Sequence, residues 1–191
     1  MLGPGLALAA YLLGSISFAL IAAKRAGVDL REEGSGNPGA TNVGRVLGKR
    51  TGRVVLVLDL AKGALPAGLA LGLLGPDDPW TAATGAAAVA GHCFPIWHGL
   101  RGGKGAATAA GVLLVLVPLA GLASVVTYLV AKRLSRRASV GSLLGALVGA
   151  GTTLATTAAP RTWMAGAIVL LVFVRHADNL ARLAQGTEPE S

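Results

Sequence analysis

The sequence predicts an all-α polytopic membrane protein with about seven transmembrane helices. Of the 191 residues, 53% are hydrophobic and only 14% are charged, and the mean hydropathy is +0.63. The apolar residues form long runs, and most basic residues lie in short segments between these runs. Since an ordinary soluble domain has about 25% charged residues, this composition excludes that class of protein.

The apolar runs define the expected spans. The first run, Leu2 to Ala23, has no basic residue before it and is followed directly by Lys24 and Arg25, the reverse of a cleavable signal peptide. We therefore expect a retained span with its N-terminus outside. Further runs cover about 54–74, 80–97, 106–131, 140–159 and 163–174, against about 20 residues for a helical crossing. Most are rich in alanine and glycine, which suits close helix packing in lipid.

Pro118 lies in the middle of the run from 106 to 131, where it disfavours a continuous helix. If it marks a turn between two short helices, the chain has seven spans, and every Lys and Arg except Lys62 and Arg161 falls on the inner side. The positive-inside rule favours this topology, with the C-terminus in the cytoplasm. Helices of about 13 residues are short for full crossings, so we expect them to be partly re-entrant.

The composition also limits the classes of function. Cys93 is the only cysteine, which excludes an internal disulfide framework, and we expect no metal site. The net charge of +8 is accompanied by only 4% aromatic residues, so we expect binding to anionic headgroups or substrates and not to nucleic acid. No internal repeat is visible. We expect a single domain over residues 1–184 and a short, solvated, disordered tail over 185–191.

Two glycine-rich polar segments interrupt the apolar sequence. Residues 34–42 read Gly-Ser-Gly-Asn-Pro-Gly-Ala-Thr-Asn, and residues 101–105 read Arg-Gly-Gly-Lys-Gly. Glycine lets backbone N–H groups approach a ligand closely, and Arg45 and Lys104 add charge that favours phosphate. A dinucleotide fingerprint would need a preceding strand, and a phosphate loop would need Ser or Thr in place of Gly105. We interpret the two segments as an anion-binding site, with simple tight turns as the alternative.

Other polar residues could belong to the same site. Asp59 and Lys62 would share one face of the second span, where they should pair or face the polar site. A histidine, a carboxylate and an amide gather after the last span, at His176, Asp178 and Asn179. A plain helix end at the headgroups is the alternative there.

The remaining polar candidates have ordinary structural interpretations as well. His92 and His98 flank the second glycine-rich segment, and a packed or solvated histidine is the simpler interpretation of each. Ser139 and Ser142 follow the basic cluster at 132–137 and could be helix-start residues.

The chain resembles a known family, the bacterial membrane glycerol-3-phosphate acyltransferases that use acyl phosphate as donor (the PlsY family). The matching segments occur in the family's order over nearly the whole chain: residues 14–16, 34–42 and 58–63, Gly91 and His92 with Pro95, residues 102–105, Ser139 and Ser142, and His176 with Asn179. Two departures concern side-chain detail. Ala177 and Asp178 replace a block usually richer in Arg and Glu, and Val140-Gly141 stands where Leu-Ala is commoner.

The resemblance implies a seven-helix enzyme that transfers a fatty acyl group from acyl phosphate to the sn-1 hydroxyl of glycerol 3-phosphate. The products would be lysophosphatidic acid and phosphate, in the first step of phospholipid biosynthesis. It also implies a multi-pass protein of the bacterial plasma (inner) membrane, with short half-helices lining an active site on the cytoplasmic side. We expect no cofactor and a monomer, functionally linked to an acyl-carrier-protein:phosphate acyltransferase that makes the donor.

The resemblance also implies roles for individual residues. The expected catalytic residues are Ser35, Lys104, His176 and Asn179. The expected substrate-binding and phosphate-binding residues are Gly34, Gly36, Asn37, Thr41, Asn42, Arg45, Gly102, Gly103, Gly105 and Ser142. The expected supporting residues are Asp59, Lys62, His92 and Ser139.

The chemistry of the substrates fits these residues. Each phosphate has a charge of about −1.5 to −2, so the site must offset several negative charges. Acyl phosphate is an activated mixed anhydride, so positioning and oxyanion stabilisation suffice without a covalent intermediate. We expect Gly102, Gly103 and Lys104 with Ser35 to hold the donor phosphate. Arg45, Ser142, His176 and Asn179 would orient glycerol 3-phosphate, whose proton would pass to His176 or to a phosphate oxygen.

Two other classes of protein are alternatives to an enzyme that uses acyl phosphate. Thioester-dependent acyltransferases use a His-x4-Asp motif, and no histidine here has an aspartate five positions later, which favours acyl phosphate over acyl-CoA. A membrane anion or organophosphate transporter would also use basic loops and glycine-broken helices. Such transporters commonly have internal repeats, whereas here the polar groups cluster at one face.

Overall fold

The computed structural model describes residues 1–191 and is all-helical, as the sequence predicts. The ten α-helices are α1 (Leu2–Gly14), α2 (Phe18–Arg25), α3 (Ala40–Val46), α4 (Lys49–Leu74), α5 (Pro79–Cys93), α6 (Ala106–Leu116), α7 (Pro118–Ser135), α8 (Ala138–Thr156), α9 (Arg161–Arg175) and α10 (Ala177–Ala184). A 3₁₀ turn at Ile96–His98 follows α5.

Three segments are long and apolar enough to cross a membrane: Leu2–Arg25, which joins α1 and α2, Lys49–Leu74, and Ala138–Thr156. The α9–α10 pair makes a fourth if it is counted across its 58° bend. These segments fit a multi-pass membrane protein. α6 is apolar but has only 11 residues, a length of about 16 Å against about 30 Å of hydrocarbon.

The helix boundaries refine the predicted spans at two places. The first apolar run is interrupted after Gly14, and α2 restarts behind Ser17, whose Oγ accepts a hydrogen bond from the Leu20 N–H at 3.3 Å. Pro118 begins α7, a position where its missing N–H costs nothing. The predicted break at this proline is therefore present, but α7 has 18 residues and not about 13.

Glycines allow the helices around the site to approach closely. α7 packs along α8, α1 along α5, and α4 along α6. Between α4 and α6 the contact is reciprocal, because Gly63 lies against the Thr108 carbonyl and Gly111 against the Leu60 carbonyl. A Cβ at either glycine would collide with that carbonyl, so this helix pair requires both glycines.

Two apolar clusters support the elements that bear the polar segments. The larger joins α5, α6 and α9 through buried side chains that include Val89, Val112, Ile168 and Val172. The smaller cluster packs α3 against α2 and α4 and consists of Ala19, Ala23, Leu30, Val43 and Val55. The two glycine-rich segments thus lead into α3 and α6, and both of these helices are packed against the bundle.

Some C-terminal residues contact the bundle, although all of residues 185–191 except Glu188 are exposed. The Arg137 Nε donates to the Glu188 carbonyl at 3.0 Å, and the Ser191 N–H donates to the Arg136 carbonyl at 2.9 Å. The Glu188 residue is only 7% exposed. The composition of this segment predicts exposure to solvent. Its contacts with Arg136 and Arg137 are not visible in a local pattern, because these arginines lie some 50 positions away.

Candidate active site

One cavity of about 270 Å³ brings the two glycine-rich segments together with α10. Its lining side chains divide into two chemical groups. The polar lining includes Ser35, Asn37, Thr41, Arg45, Lys104, Ser142, His176, Asn179, Arg182 and Glu188. The apolar lining includes Leu113, Ala146, Ala150, Ala165, Ile168 and Val169. Such a cavity suits a molecule with an anionic head and an apolar tail.

The structure brings most of the expected site residues to this cavity. All four expected catalytic residues line it, namely Ser35, Lys104, His176 and Asn179. The expected binding residues Asn37, Thr41, Asn42, Arg45, Gly105 and Ser142 also line it, as do Asp59, His92 and Ser139. Gly34, Gly36, Lys62, Gly102 and Gly103 do not.

The first glycine-rich segment is folded around the side chain of Asn42, which is 1% exposed. The Asn42 Oδ1 accepts the Ser35 N–H at 2.9 Å, and its Nδ2 donates to the Glu33 carbonyl at 3.0 Å. The Gly36 N–H also donates to the Glu33 carbonyl, at 3.0 Å. The Asn42 amide thus holds the loop together, and the residue also lines the cavity.

The N–H groups of Gly102 and Gly103 are also used inside the protein. They donate to the carbonyls of Cys93 and His92, at 3.2 and 3.1 Å. Since both N–H groups are bonded to the protein, they are not free to bind a phosphate, which was the role expected of them. The adjacent start of α6 is better suited to an anion, because its N-cap Gly105 gives no side-chain cap and Ala106 lines the cavity.

A chain of hydrogen bonds connects Lys104 with α10 and the C-terminal segment. The Lys104 Nζ donates to the Asn179 Oδ1. The Asn179 Nδ2 donates to the Glu188 Oε1 at 2.6 Å, and the Arg182 Nε donates to the Glu188 Oε2 at 2.8 Å. Burial, aided by the Arg182 charge, lowers the pKa of Lys104 to about 8, against the opposing carboxylates of Glu188 and Asp178.

Sequence reasoning missed both Arg182 and Glu188 as site residues. Arg182 follows Asn179 by three positions, so the helical spacing could have placed the two on one face of α10. Glu188 gave no such signal, since it lies beyond the helix in a segment without periodicity.

His176 lies at the junction of α9 and α10 and is 3% exposed. Its Nδ1 lies 2.8 Å from the Val172 carbonyl oxygen. A carbonyl only accepts, so Nδ1 must bear the proton in this contact, and Nε2 of the neutral ring keeps its lone pair. Burial lowers the pKa of His176 to about 4, so the neutral ring is a weak base whose accepting atom is Nε2.

The Asp59 and Lys62 side chains form the pair that their spacing predicts. The Lys62 Nζ lies 3.0 Å from the Asp59 Oδ1, and both groups are buried. It also donates to the Ile16 carbonyl at 2.9 Å, an acceptor available where the chain breaks between α1 and α2. The His92 Nδ1 lies 3.6 Å from the same Asp59 oxygen. The pair neutralises a charge in the apolar bundle and borders the cavity through Asp59 and His92.

Two more of the expected residues differ in their availability to a ligand. The Ser139 side chain is buried and lines the cavity. The Arg45 side chain is exposed, and its Nη2 donates to the Glu190 carbonyl at 2.9 Å. No group of three or more His, Cys, Asp or Glu side chains is placed to hold a metal ion.

The fold and cavity define the chain as a helical integral membrane protein with a site suited to phosphate-bearing amphiphiles. The family model for glycerol-3-phosphate acyltransferase matches residues 5–186. The chain belongs to this family and is an acyltransferase.

Relatives and solved structures agree with the family model. The glycerol-3-phosphate acyltransferase of Anaeromyxobacter dehalogenans strain 2CP-1 is 47% identical over 98% of this chain and 96% of its own length. That of Myxococcus xanthus strain DK1622 is 48% identical over 96% of each. The crystal structure of PlsY, an integral membrane glycerol 3-phosphate acyltransferase, in its glycerol 3-phosphate form has a TM-score of 0.97 at 40% identity, covering 100% of this chain and 96% of that one. Its lysophosphatidic acid form has a TM-score of 0.94 at 39% identity, covering 100% and 95%.

Proposed function

We propose that this protein transfers a fatty acyl group from acyl phosphate to the sn-1 hydroxyl of glycerol 3-phosphate. The supporting observation is one cavity in which Arg45, Lys104 and Arg182 adjoin an apolar lining of α6, α8 and α9. The products are lysophosphatidic acid and inorganic phosphate. The related PlsY structures were solved in forms with glycerol 3-phosphate and with lysophosphatidic acid, which supports the same acceptor and product here.

The reaction needs no covalent enzyme intermediate. The hydroxyl oxygen attacks the acyl carbonyl carbon, the bond from that carbon to the phosphate oxygen breaks, and phosphate leaves with the bond electrons. The hydroxyl proton passes to the Nε2 of His176 or to a phosphate oxygen. Lys104 and the start of α6 hold the donor phosphate, with Ser35 beside them. Arg45, Ser142 and Asn179 orient the acceptor.

The glycines of the two loops have a different role in this proposal from the one first expected. Gly102 and Gly103 fix the backbone that presents Lys104, since their N–H groups are bonded within the protein. Gly34 and Gly36 shape the loop that presents Ser35 and Asn37. Asn42 holds that loop, and Asp59, Lys62, His92 and Ser139 support the cavity from α4, α5 and α8.

We also propose a topology of seven membrane segments: α1 with α2, α4, α5, α6, α7, α8 and α9. The N-terminus lies outside, and the active site and C-terminus face the cytoplasm of a bacterial inner membrane. Cysteines added one at a time at the exposed positions Arg31, Arg101 and Asp77, beside the buried native Cys93, test this with an impermeant maleimide. Labelling of Arg31→Cys and Arg101→Cys only after the membrane is opened, and of Asp77→Cys in intact cells, is expected. Labelling of residues 31 and 101 from opposite sides would overturn the shared site.

The chain is proposed to act as a monomer and as a single domain over residues 1–184, to which the following segment adds Glu188 as a site residue. Its donor is supplied by an acyl-carrier-protein:phosphate acyltransferase. Light scattering of the purified protein in detergent tests the monomer, with a dimer mass as the contrary result.

The direct test incubates purified protein with palmitoyl phosphate and glycerol 3-phosphate, without metal or CoA. We expect lysophosphatidic acid and phosphate in equal amounts, and no product with palmitoyl-CoA as the donor. A Lys104→Ala variant should lose most activity. The transporter alternative is not favoured by the family membership. Glycerol 3-phosphate flux into proteoliposomes without any lysophosphatidic acid would reverse that conclusion.

A further inference from the structure

Arg175 makes two hydrogen bonds to consecutive carbonyls of the second glycine-rich segment. Its Nε donates to the Gly103 carbonyl at 3.1 Å, and its Nη2 donates to the Gly102 carbonyl at 2.8 Å. Arg175 does not line the cavity. It therefore contacts the loop that presents Lys104 and not the space available to substrate.

The guanidinium of Arg175 is itself held in place. Its Cζ lies 5.5 Å from the centre of the Phe94 ring, a cation–π distance. The Phe94 carbonyl in turn accepts the Tyr11 hydroxyl at 2.8 Å. Arg175 thus packs on Phe94, at the end of α5, and Phe94 is in turn bonded to Tyr11 of α1.

The same loop is fixed from its other side. The N–H groups of Gly102 and Gly103 donate to the end of α5, while their carbonyls receive the Arg175 donors. A side chain at Gly103 would collide with the His92 ring, and one at Gly102 with the His92 carbonyl. Since the N–H and the carbonyl of both glycines are hydrogen-bonded, the backbone next to Lys104 is fixed.

We propose that Arg175 is a positioning residue that sets Lys104 relative to His176. It is the residue directly before His176, so the end of α9 bears both the proton acceptor and the clamp on the Lys104 loop. The planar guanidinium donates to both carbonyls at once from two fixed nitrogen atoms, whereas lysine has a single nitrogen. This inference rests on the proposed transferase function for its kinetic consequence, but the clamp is also measurable without activity.

The first test measures hydrogen exchange of the peptide that contains residues 101–105, in the intact purified protein. In Arg175→Lys and Arg175→Met, we expect exchange in this peptide to accelerate about 10-fold or more, while α7 and α8 keep their protection. The matched controls are Arg133→Lys and Arg133→Met, at an exposed position of α7. Unchanged protection of the loop in both Arg175 variants would overturn the clamp, whatever the activity.

The second test measures steady-state kinetics on the same variants. We expect kcat to fall about 10- to 100-fold even in Arg175→Lys. The KM for acyl phosphate should rise, while the KM for glycerol 3-phosphate changes less than about 3-fold, because Lys104 is assigned to the donor. Guanidinium ion, but not methylammonium, should partly rescue Arg175→Ala.

The outcomes separate the two proposals. Full activity of Arg175→Lys would show that charge alone suffices and would overturn the positioning role. A lower kcat with both KM values unchanged and no rescue would indicate only a smaller folded fraction, which also overturns it. Wild-type protein with the expected loop protection but no lysophosphatidic acid would instead overturn the proposed function.

Discussion

The side-chain amide of Asn179 lies between a cation and an anion from distant parts of the chain. Its oxygen accepts from the Lys104 Nζ, and its nitrogen donates to the Glu188 Oε1 at 2.6 Å. These two contacts fix which end of the amide faces Lys104. The amide therefore links the second glycine-rich segment, α10 and the C-terminal residues into one unit.

The first prediction concerns the pH dependence that Lys104 gives to the reaction. Burial and the Arg182 charge lower the pKa of Lys104 to about 8, so its ammonium is present below that pH and is lost above it. The second ionisation of a phosphate monoester occurs at about pH 6 and is therefore complete near the pKa of Lys104. We expect kcat/KM for acyl phosphate to fall as pH rises through about 8.

A Lys104→Arg variant should be less active but should lack this alkaline decline, because guanidinium stays charged. Lys132→Arg, on α7, is the control and should retain the wild-type profile. An unchanged alkaline limb in Lys104→Arg would assign the titration to another group.

The second prediction concerns His176 as a proton acceptor. Because its Nδ1 donates to the Val172 carbonyl, Nε2 is the ring atom that would take the hydroxyl proton. His176→Gln keeps a polar side chain of similar size but lacks a basic nitrogen, and should lower kcat about 10²- to 10⁴-fold. Single-turnover rates measure this step directly. A change of less than 3-fold in a folded variant would transfer the role of base to a phosphate oxygen.

The third prediction concerns Glu188. Glu188→Ala leaves the Asn179 amide and the Arg182 guanidinium without their acceptor, and loss of such buried partners costs about 1–3 kcal/mol. We expect lower activity and a lower thermal unfolding temperature in detergent. Glu190→Ala is the matched control, since its exposed pair with Arg136 should be worth about 0–1 kcal/mol. Equal effects of the two substitutions would refute a special role of Glu188.

The fourth prediction concerns the packing of α4 on α6. Gly63→Ala places a Cβ against the Thr108 carbonyl, and such overpacking costs about 1–3 kcal/mol. The unfolding temperature should fall. Gly72→Ala, on the same helix with nothing within 4 Å of its Cβ, should be neutral or slightly stabilising. A stable Gly63→Ala protein would show that the helices can separate at little cost.

Local patterns predicted most of the helices and many members of the site. Long apolar runs predicted the main helices, because a chain in lipid must satisfy its backbone internally. Pro118 correctly predicted a helix boundary, since proline lacks the N–H that helix interiors need. The short helices α3 and α10 were not separated from their surroundings, because their polar faces obscure the apolar signal that marks the spans.

The sequence by itself determined the fold class and the family, and it placed cations and glycines in two segments, because residue type and spacing are local properties. Tertiary structure alone decided which backbone N–H groups are free, because the partners of Gly102 and Gly103 lie at the end of α5. It likewise decided that Glu188 enters the site and that Arg175 binds the loop and not the cavity. These contacts join residues up to 73 positions apart, and only the packing of α5, α9 and α10 brings them within hydrogen-bonding distance.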